Sequence, residues 1–281
     1  MLDVEILKIA SFSDGEQGGN PAGVFIGDAL PQAEKMQEIA AQVGYSETAF
    51  ATKEGDVWRT RYFSPESEVP FCGHATIALG AVLAMKFGDA TFDLKLNEAN
   101  ISVEGTKTDT GIHAALQSPP TFSRPADPDL VSQALELFGY GYDDLDPAMP
   151  PAFANGGANH LVIGLKHRER LADMEYDLEA GKRFMRENEL VTVCLAYAQT
   201  PTLFHSRNPF ASGGVYEDPA TGAASAALAG YLRDIDWPHE GEINIVQGED
   251  MGSRSLINVQ LSSEAGSSIR VAGMARIIKN N

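Results

Sequence analysis

Two stretches of this sequence can be laid over each other, and that limits the fold more than any other feature. Gly73-His74-Ala75-Thr76-Ile77-Ala78-Leu79-Gly80-Ala81-Val82-Leu83 aligns with Gly222-Ala223-Ala224-Ser225-Ala226-Ala227-Leu228-Ala229-Gly230-Tyr231-Leu232. Gly73 meets Gly222, Leu79 meets Leu228 and Leu83 meets Leu232. A proline stands three residues before each glycine, at Pro70 and Pro219. Neither run carries Asp, Glu, Lys or Arg. A helix that is apolar on every side has to be wrapped by other elements. One run lies in each half of the chain, after several strand-like segments and before several more. The pattern predicts a duplicated α+β unit: two pseudo-symmetric lobes, each a curved, mostly antiparallel, barrel-like sheet around a central apolar helix. A cleft between two such lobes is an ordinary place for a ligand.

The local periodicities supply the parts. β-branched and aromatic runs predict strands at 4–12, 24–26, 47–52, 58–63, 91–96, 101–104 and 111–115. Further strands are expected at 159–165, 191–198, 243–248, 256–261 and 269–278. Helical spacing predicts helices at 31–43, 73–86, 128–138 and 222–235. The stretch between 165 and 191, rich in Glu, Lys and Arg, reads as an exposed helix. Gly18 to Gly23 reads as a turn cluster. Residues 117–125, with three prolines, break both periodicities and read as the linker. The expected division is therefore 1–117 with 266–281, the last strand returning to the first lobe, and 118–265.

Composition excludes several functions. The 281 residues include 39 Asp and Glu against 21 Lys and Arg, a formal net charge of −18. Phosphate backbones are held by clustered cations, so nucleic acid is a poor partner, and an anionic membrane surface equally so. No stretch reads as a signal peptide and no apolar run is long enough to span a bilayer. The expected compartment is the cytoplasm. Two cysteines, Cys72 and Cys194, exclude a disulfide scaffold. No phosphate loop, dinucleotide fingerprint or metal-ligand spacing of histidines is present.

Chemistry is most plausible at the starts of the two apolar helices. Unpaired N–H groups there bind anions, and Gly73 and Gly222, lacking a Cβ, let a ligand come close. The same glycines also suit tight turns or close packing. His74 sits one residue into the first helix, where the dipole disfavours its charged form; a satisfied structural histidine fits the position equally. Asp218, before Pro219, is a candidate acid–base group and also an ordinary turn residue. Glu47, in Gly44-Tyr45-Ser46-Glu47-Thr48-Ala49-Phe50, interrupts a stretch ready to enter a buried strand. A carboxylate in apolar surroundings can both take and give a proton, while a solvent-facing strand position also explains it. Cys72 is either a thiol activated by the helix start or a buried apolar residue.

Four motifs occur in order: Gly19-Asn20-Pro21-Ala22-Gly23-Val24, Ser46-Glu47-Thr48-Ala49-Phe50, Cys72-Gly73-His74-Ala75-Thr76 and Glu217-Asp218-Pro219-Ala220-Thr221-Gly222. Together they resemble the PhzF-like isomerase family of phenazine biosynthesis, over nearly the whole chain. The resemblance implies the diaminopimelate-epimerase-like fold, a homodimer, a small carboxylate-bearing substrate, and neither metal nor organic cofactor. It implies an isomerase that moves a proton between carbons, as the family's enzyme does on trans-2,3-dihydro-3-hydroxyanthranilate. Glu47 falls on the catalytic carboxylate, and His74 and Asp218 on residues that hold substrate and assist transfer. Asn20, Gly73, Gly222 and Ala223 fall on substrate-binding positions. One departure stands out. The family commonly reads Thr-Gly-Ser where this chain has Thr221-Gly222-Ala223, so a hydroxyl contact is missing while the backbone amide remains. Ser225, two residues on, points elsewhere on a helix.

Two other functions compete. An amino-acid epimerase of this fold needs a thiol in each lobe; Cys72 is in place, but its counterpart in the repeat is Thr221. A non-catalytic ligand-binding protein would need none of the proton-transfer set, and it would incorporate no solvent deuterium into its ligand.

Overall fold

Among the described residues seventeen strands and six α-helices follow one another, and their pairings fall into two similar sets. The computed structural model describes residues 5–109 and 111–279. Val4, at the head of the first expected strand, lies outside the described residues. The chain divides into two compact units, 1–117 with 272–281 and 118–271.

The first unit contains β1 (Leu7–Ser11), β2 (Asn20–Gly27), α1 (Ala33–Val43), β3 (Glu47–Glu54), β4 (Val57–Phe63), β5 (Glu68–Val69), α2 (Gly73–Phe87), β6 (Ala90–Lys95), β7 (Asn100–Thr108) and β8 (Gly111–Gln117). The second contains β9 (Phe122–Pro125), α3 (Pro128–Phe138), β10 (Ala152–Asn155), β11 (Asn159–Gly164), α4 (Arg168–Ala172), α5 (Leu178–Glu187), β12 (Thr192–Thr200), β13 (Leu203–Phe210), β14 (Val215–Asp218), α6 (Gly222–Asp234), β15 (Glu242–Gln247) and β16 (Ser255–Gln260). The last strand, β17 (Arg270–Ile277), begins in the second unit and runs into the first.

In the first unit the pairings form a closed circuit, β1–β2–β3–β4–β6–β7–β8–β17 and back to β1. Closure leaves no sheet edge to protect. The pairs β2–β3 and β4–β6 are parallel, the first joined through α1 and the second through β5 and α2. α2 packs on β1, β2, β3, β6, β7 and β8. Its residues Gly73 through Ala84 are all buried, as an all-round apolar sequence requires. Gly80 of α2 faces Gly105 of β7, and a Cβ on Gly80 would stand 2.5 Å from Val103. A second cluster, Phe25, Met36, Ile39, Ala40, Phe50 and Phe63, seals α1 against the sheet.

The second unit repeats the order. β10 and β11 are antiparallel, β11 and β12 parallel, β12 and β13 antiparallel, β13 and β15 parallel, and β15 and β16 antiparallel. β14 pairs back on β13 just before α6, as β5 pairs back on β4 just before α2. The helix expected between 165 and 191 is two helices, α4 and α5, which join the parallel pair β11–β12. The buried face of α5 is Gly181, Phe184 and Met185, with its charged residues turned outward. α6 packs on β9, β10, β11, β12 and β16.

Three local expectations change. The turn at Gly18 and Gly19 is real, both at positive φ, but strand geometry resumes at Asn20 and includes Pro21 and Gly23. The 117–125 stretch is no free linker: Phe122–Pro125 is a strand on β10, and Ser118 and Thr121 are buried. Residues 266–271, expected to return to the first lobe, stay with the second unit. The Ser118 amide donates to the Ile269 carbonyl at 2.8 Å, and the Ile269 amide donates to Ser118 Oγ at 3.0 Å. Among the described residues no helix is long and apolar enough to cross a membrane.

Candidate functional site

The start of α2 is held by hydroxyls. Ser11 Oγ donates to the His74 carbonyl at 2.7 Å, and Thr76 Oγ1 donates to the Cys72 carbonyl at 2.7 Å. Tyr62 Oη lies 2.7 Å from Thr76 Oγ1. This tying down matters because the first-turn N–H groups have no partners within the helix. Ser11 pairs in register with Asn20, and Ala22, two residues on, pairs with Glu47. Asn20, Glu47, Gly73 and His74 are therefore brought to the same end of the first unit.

Glu47 is 7% exposed and His74 is 4% exposed. Glu47 Oε2 lies 3.4 Å from His74 Nε2 and accepts no hydrogen bond among the described residues. Ser46 Oγ lies 3.4 Å from the same nitrogen. On the other side of the ring, Cys72 Sγ is 3.3 Å from His74 Nδ1. Burial lowers the His74 pKa below the ordinary histidine value, and the Glu47 carboxylate opposes that only in part. A neutral imidazole therefore stands beside a buried carboxylate, an arrangement able to bind, orient and relay a proton.

Glu47, Cys72 and His74 offer ligand atoms within 4.8 Å of one another, a donor set of the kind zinc accepts. The geometry does not suit one ion. The thiol faces Nδ1 and the carboxylate faces Nε2, and a metal takes only one ring nitrogen. The three groups fit a hydrogen-bonded chain better than a metal site.

In the second unit Asp218 closes β14 and is buried. Its Oδ2 accepts from Thr221 Oγ1 at 2.5 Å, and its carbonyl accepts from Gln247 Nε2 at 2.7 Å. Gln247 Nε2 also donates to Thr221 Oγ1 at 2.9 Å, while Gln247 Oε1 accepts from the Thr221 amide at 3.1 Å. Gln247 thus frames the start of α6, where Gly222 and Ala223 form the first turn. Sequence reasoning missed Gln247. Its one signal is a glutamine that follows Ile245 and Val246 at the end of the strand, where the polar–apolar alternation of Glu242 to Ile245 breaks. Ser225 Oγ donates back to the Thr221 carbonyl at 2.9 Å, so it does not replace the missing serine hydroxyl.

The duplication shows how unequal the two units are. Glu47 opens β3 opposite Ala22 of its parallel neighbour, and Thr192 opens β12 opposite His160 of its own. Thr192 thus holds the place of Glu47, Ala223 that of His74 and Thr221 that of Cys72. Cys194 is no substitute thiol, since complete burial pushes its pKa up to about 12. His160, also buried, keeps Nδ1 2.8 Å from Thr192 Oγ1.

The duplicated, helix-filled fold is of the diaminopimelate-epimerase type, and comparison with known proteins makes the chain's class an isomerase. The family model described as phenazine biosynthesis-like protein matches residues 9–280. The chain belongs to that family. It is 30% identical to YfhB of Bacillus subtilis (strain 168), which bears the name of an uncharacterized isomerase; the match covers 96% of this chain and 94% of YfhB. It is 30% identical to the trans-2,3-dihydro-3-hydroxyanthranilate isomerase of Pseudomonas aeruginosa, covering 94% of each. Among solved structures, the Bacillus anthracis phenazine biosynthesis protein of the PhzF family superposes with a TM-score of 0.86 at 21% identity, over 98% of this chain and 97% of that one. A probable proline racemase from Agrobacterium radiobacter K84 shares the fold, with a TM-score of 0.69 at 11% identity over 98% of this chain and 91% of that one.

Proposed function

We propose that this isomerase moves a proton within a small carboxylate-bearing substrate, with Glu47 as the general acid/base and without a cofactor. The observation that carries the reading is the one-sidedness of the duplicated fold. Glu47 and His74 stand 3.4 Å apart in the first unit, and their counterparts in the second are Thr192 and Ala223. A racemase of this fold takes a thiol from each half, and the second unit has Thr221 where the first has Cys72. A shuttle that removes a proton from one carbon and returns it to another needs only one carboxylate.

In this mechanism ionised Glu47 takes the proton from a substrate carbon, and the carboxylic acid so formed delivers it to a second carbon of the same molecule. His74, neutral, stands with Nε2 3.4 Å from the carboxylate, placed to donate to it as charge forms during transfer. Asn20 and Gly73 in the first unit, and Gly222 and Ala223 in the second, are the proposed substrate-binding positions, each glycine at the start of its unit's apolar helix. Asp218, fixed by Thr221 and Gln247, assists transfer. The P. aeruginosa relative makes trans-2,3-dihydro-3-hydroxyanthranilate the first compound to try. The test is turnover of that compound by wild type, Glu47→Gln and Asp218→Asn. Turnover by wild type that is lost in Glu47→Gln supports the reading; a wild type that leaves the compound unchanged removes this substrate from it. A cytoplasmic homodimer belongs to the same proposal, and sedimentation at several protein concentrations decides the dimer.

A further inference from the structure

Cys72 has no part in the shuttle as proposed, yet its sulfur sits against the ring that serves it. The Cys72 Sγ to His74 Nδ1 distance is 3.3 Å, Nε2 on the opposite side is 3.4 Å from Glu47 Oε2, and all three side chains are buried. We propose that Cys72 is a positioning residue: its thiol donates to His74 Nδ1 and so fixes the ring proton on Nε2, aimed at Glu47. The inference rests on the proposed role of Glu47.

The alternatives within the same geometry are unfavourable. If Nδ1 carried the proton and the sulfur accepted it, the lone pair of Nε2 would face the Glu47 carboxylate, with only the Ser46 hydroxyl, 3.4 Å away, placed to donate to it. If the thiol gave its proton up, a thiolate and a carboxylate would flank one imidazolium, three buried charges with an excess negative one. Burial and the start of α2 both disfavour that imidazolium. A thiol donor leaves a neutral ring, one acceptor satisfied at Nδ1, and one N–H directed at the base. The backbone supports the arrangement, since the carbonyls of Cys72 and His74 are each held by a hydroxyl, from Thr76 and Ser11. In the second unit Thr221 stands where Cys72 does and Ala223 where His74 does, so there the donor position has no ring to orient.

The test reads the tautomer directly. In 15N-labelled protein at neutral pH, long-range proton–nitrogen spectra distinguish protonated from bare ring nitrogens, and His74→Gln assigns the signals. The expected result is a neutral His74 with its proton on Nε2 in wild type and in Cys72→Ser, and loss of that preference in Cys72→Ala. A wild-type ring protonated on Nδ1, or on both nitrogens, overturns the proposal. So does an unchanged tautomer in Cys72→Ala. This readout needs no substrate, so it is decided whether or not the chain turns over dihydrohydroxyanthranilate. Where turnover is seen, Cys72→Ala lowers it by about tenfold or more and Cys72→Ser restores most of it. Should Cys72→Ala fail to fold, the wild-type and Cys72→Ser spectra still decide.

Discussion

Glu47 lies on a strand whose next residues, Thr48 to Ala51, are buried. Its carboxylate is therefore taken out of water by the strand it opens and met by one ring nitrogen. Replacing it with Gln keeps size and hydrogen bonding while removing the proposed base. The expected loss of turnover is about 10²-fold or more, measured beside an unchanged circular dichroism spectrum. Histidine burial has a second, separable consequence. Burial lowers the pKa of His160 from 6.5 to about 3. The unfolded chain takes up this proton below about 6.5, and the native state only below about 3. Native stability therefore falls as pH drops through that window, at up to about 1.4 kcal/mol per pH unit from this group. His74 acts in the same direction. Urea unfolding across a pH series should show a shallower acid limb in His160→Gln than in wild type; equal limbs contradict this. At this scale Glu47, His74 and Asp218 were legible in sequence as candidates, because each interrupts a pattern or stands at a helix start. Ser11 and Gln247 were not, because their partners are 63 and 29 residues away and no local pattern marks them.

Among the elements, α2 and α6 are buried along most of their length. Leu79 and Leu83 are fully enclosed by the barrel, and a closed barrel cannot collapse far onto a cavity. Leu83→Ala should cost about 3 kcal/mol, measured by chemical denaturation. β14 depends on charge instead. Glu217 accepts from Arg207 Nε at 3.0 Å and from its Nη2 at 2.5 Å, and the Ala172 carbonyl accepts from Arg207 Nη1 at 2.8 Å. Glu217→Ala leaves that guanidinium buried without its carboxylate, at a cost of about 3–5 kcal/mol. Because Asp218 is the next residue, turnover should fall as well. Both helices were legible, since an apolar run without charges has one explanation in a chain with no membrane-length span. β13 and β14 were not. Their strand residues include His205, Arg207, Asn208, Glu217 and Asp218, whose polar groups are satisfied by tertiary partners rather than by solvent. The prolines at 117–125 misled in the opposite way. Residues 122–125 end in proline and form a strand paired only over that short length with β10, where a proline is tolerated.

At the scale of the molecule, one topology is used twice and furnished differently. The strand order, the two parallel pairs and the apolar helix recur, while the second unit has Thr192, Ala223 and Thr221 in the places of Glu47, His74 and Cys72. The repeat in the sequence foretold the shared architecture because helix burial is a property of local composition. It could not foretell the furnishing, which depends on which residues open β3 and β12. The last strand carries a global consequence. β17 pairs with both β1 and β8 and so closes the first circuit. Removing residues 272–281 should open that barrel, leaving the first unit protease-sensitive while the second resists longer; equal resistance of both units would count against the closure.

The proposed reaction turns on a single proton moved by Glu47. The most direct measurement is turnover in heavy water with trans-2,3-dihydro-3-hydroxyanthranilate, following deuterium at the ring carbons by mass spectrometry and NMR. The prediction is that the carbon that gains the proton carries the substrate's own hydrogen, with solvent deuterium there only as far as the Glu47 acid exchanges before delivery, and that turnover and any incorporation are lost together in Glu47→Gln. Turnover at the wild-type rate by Glu47→Gln would contradict it and place the base elsewhere.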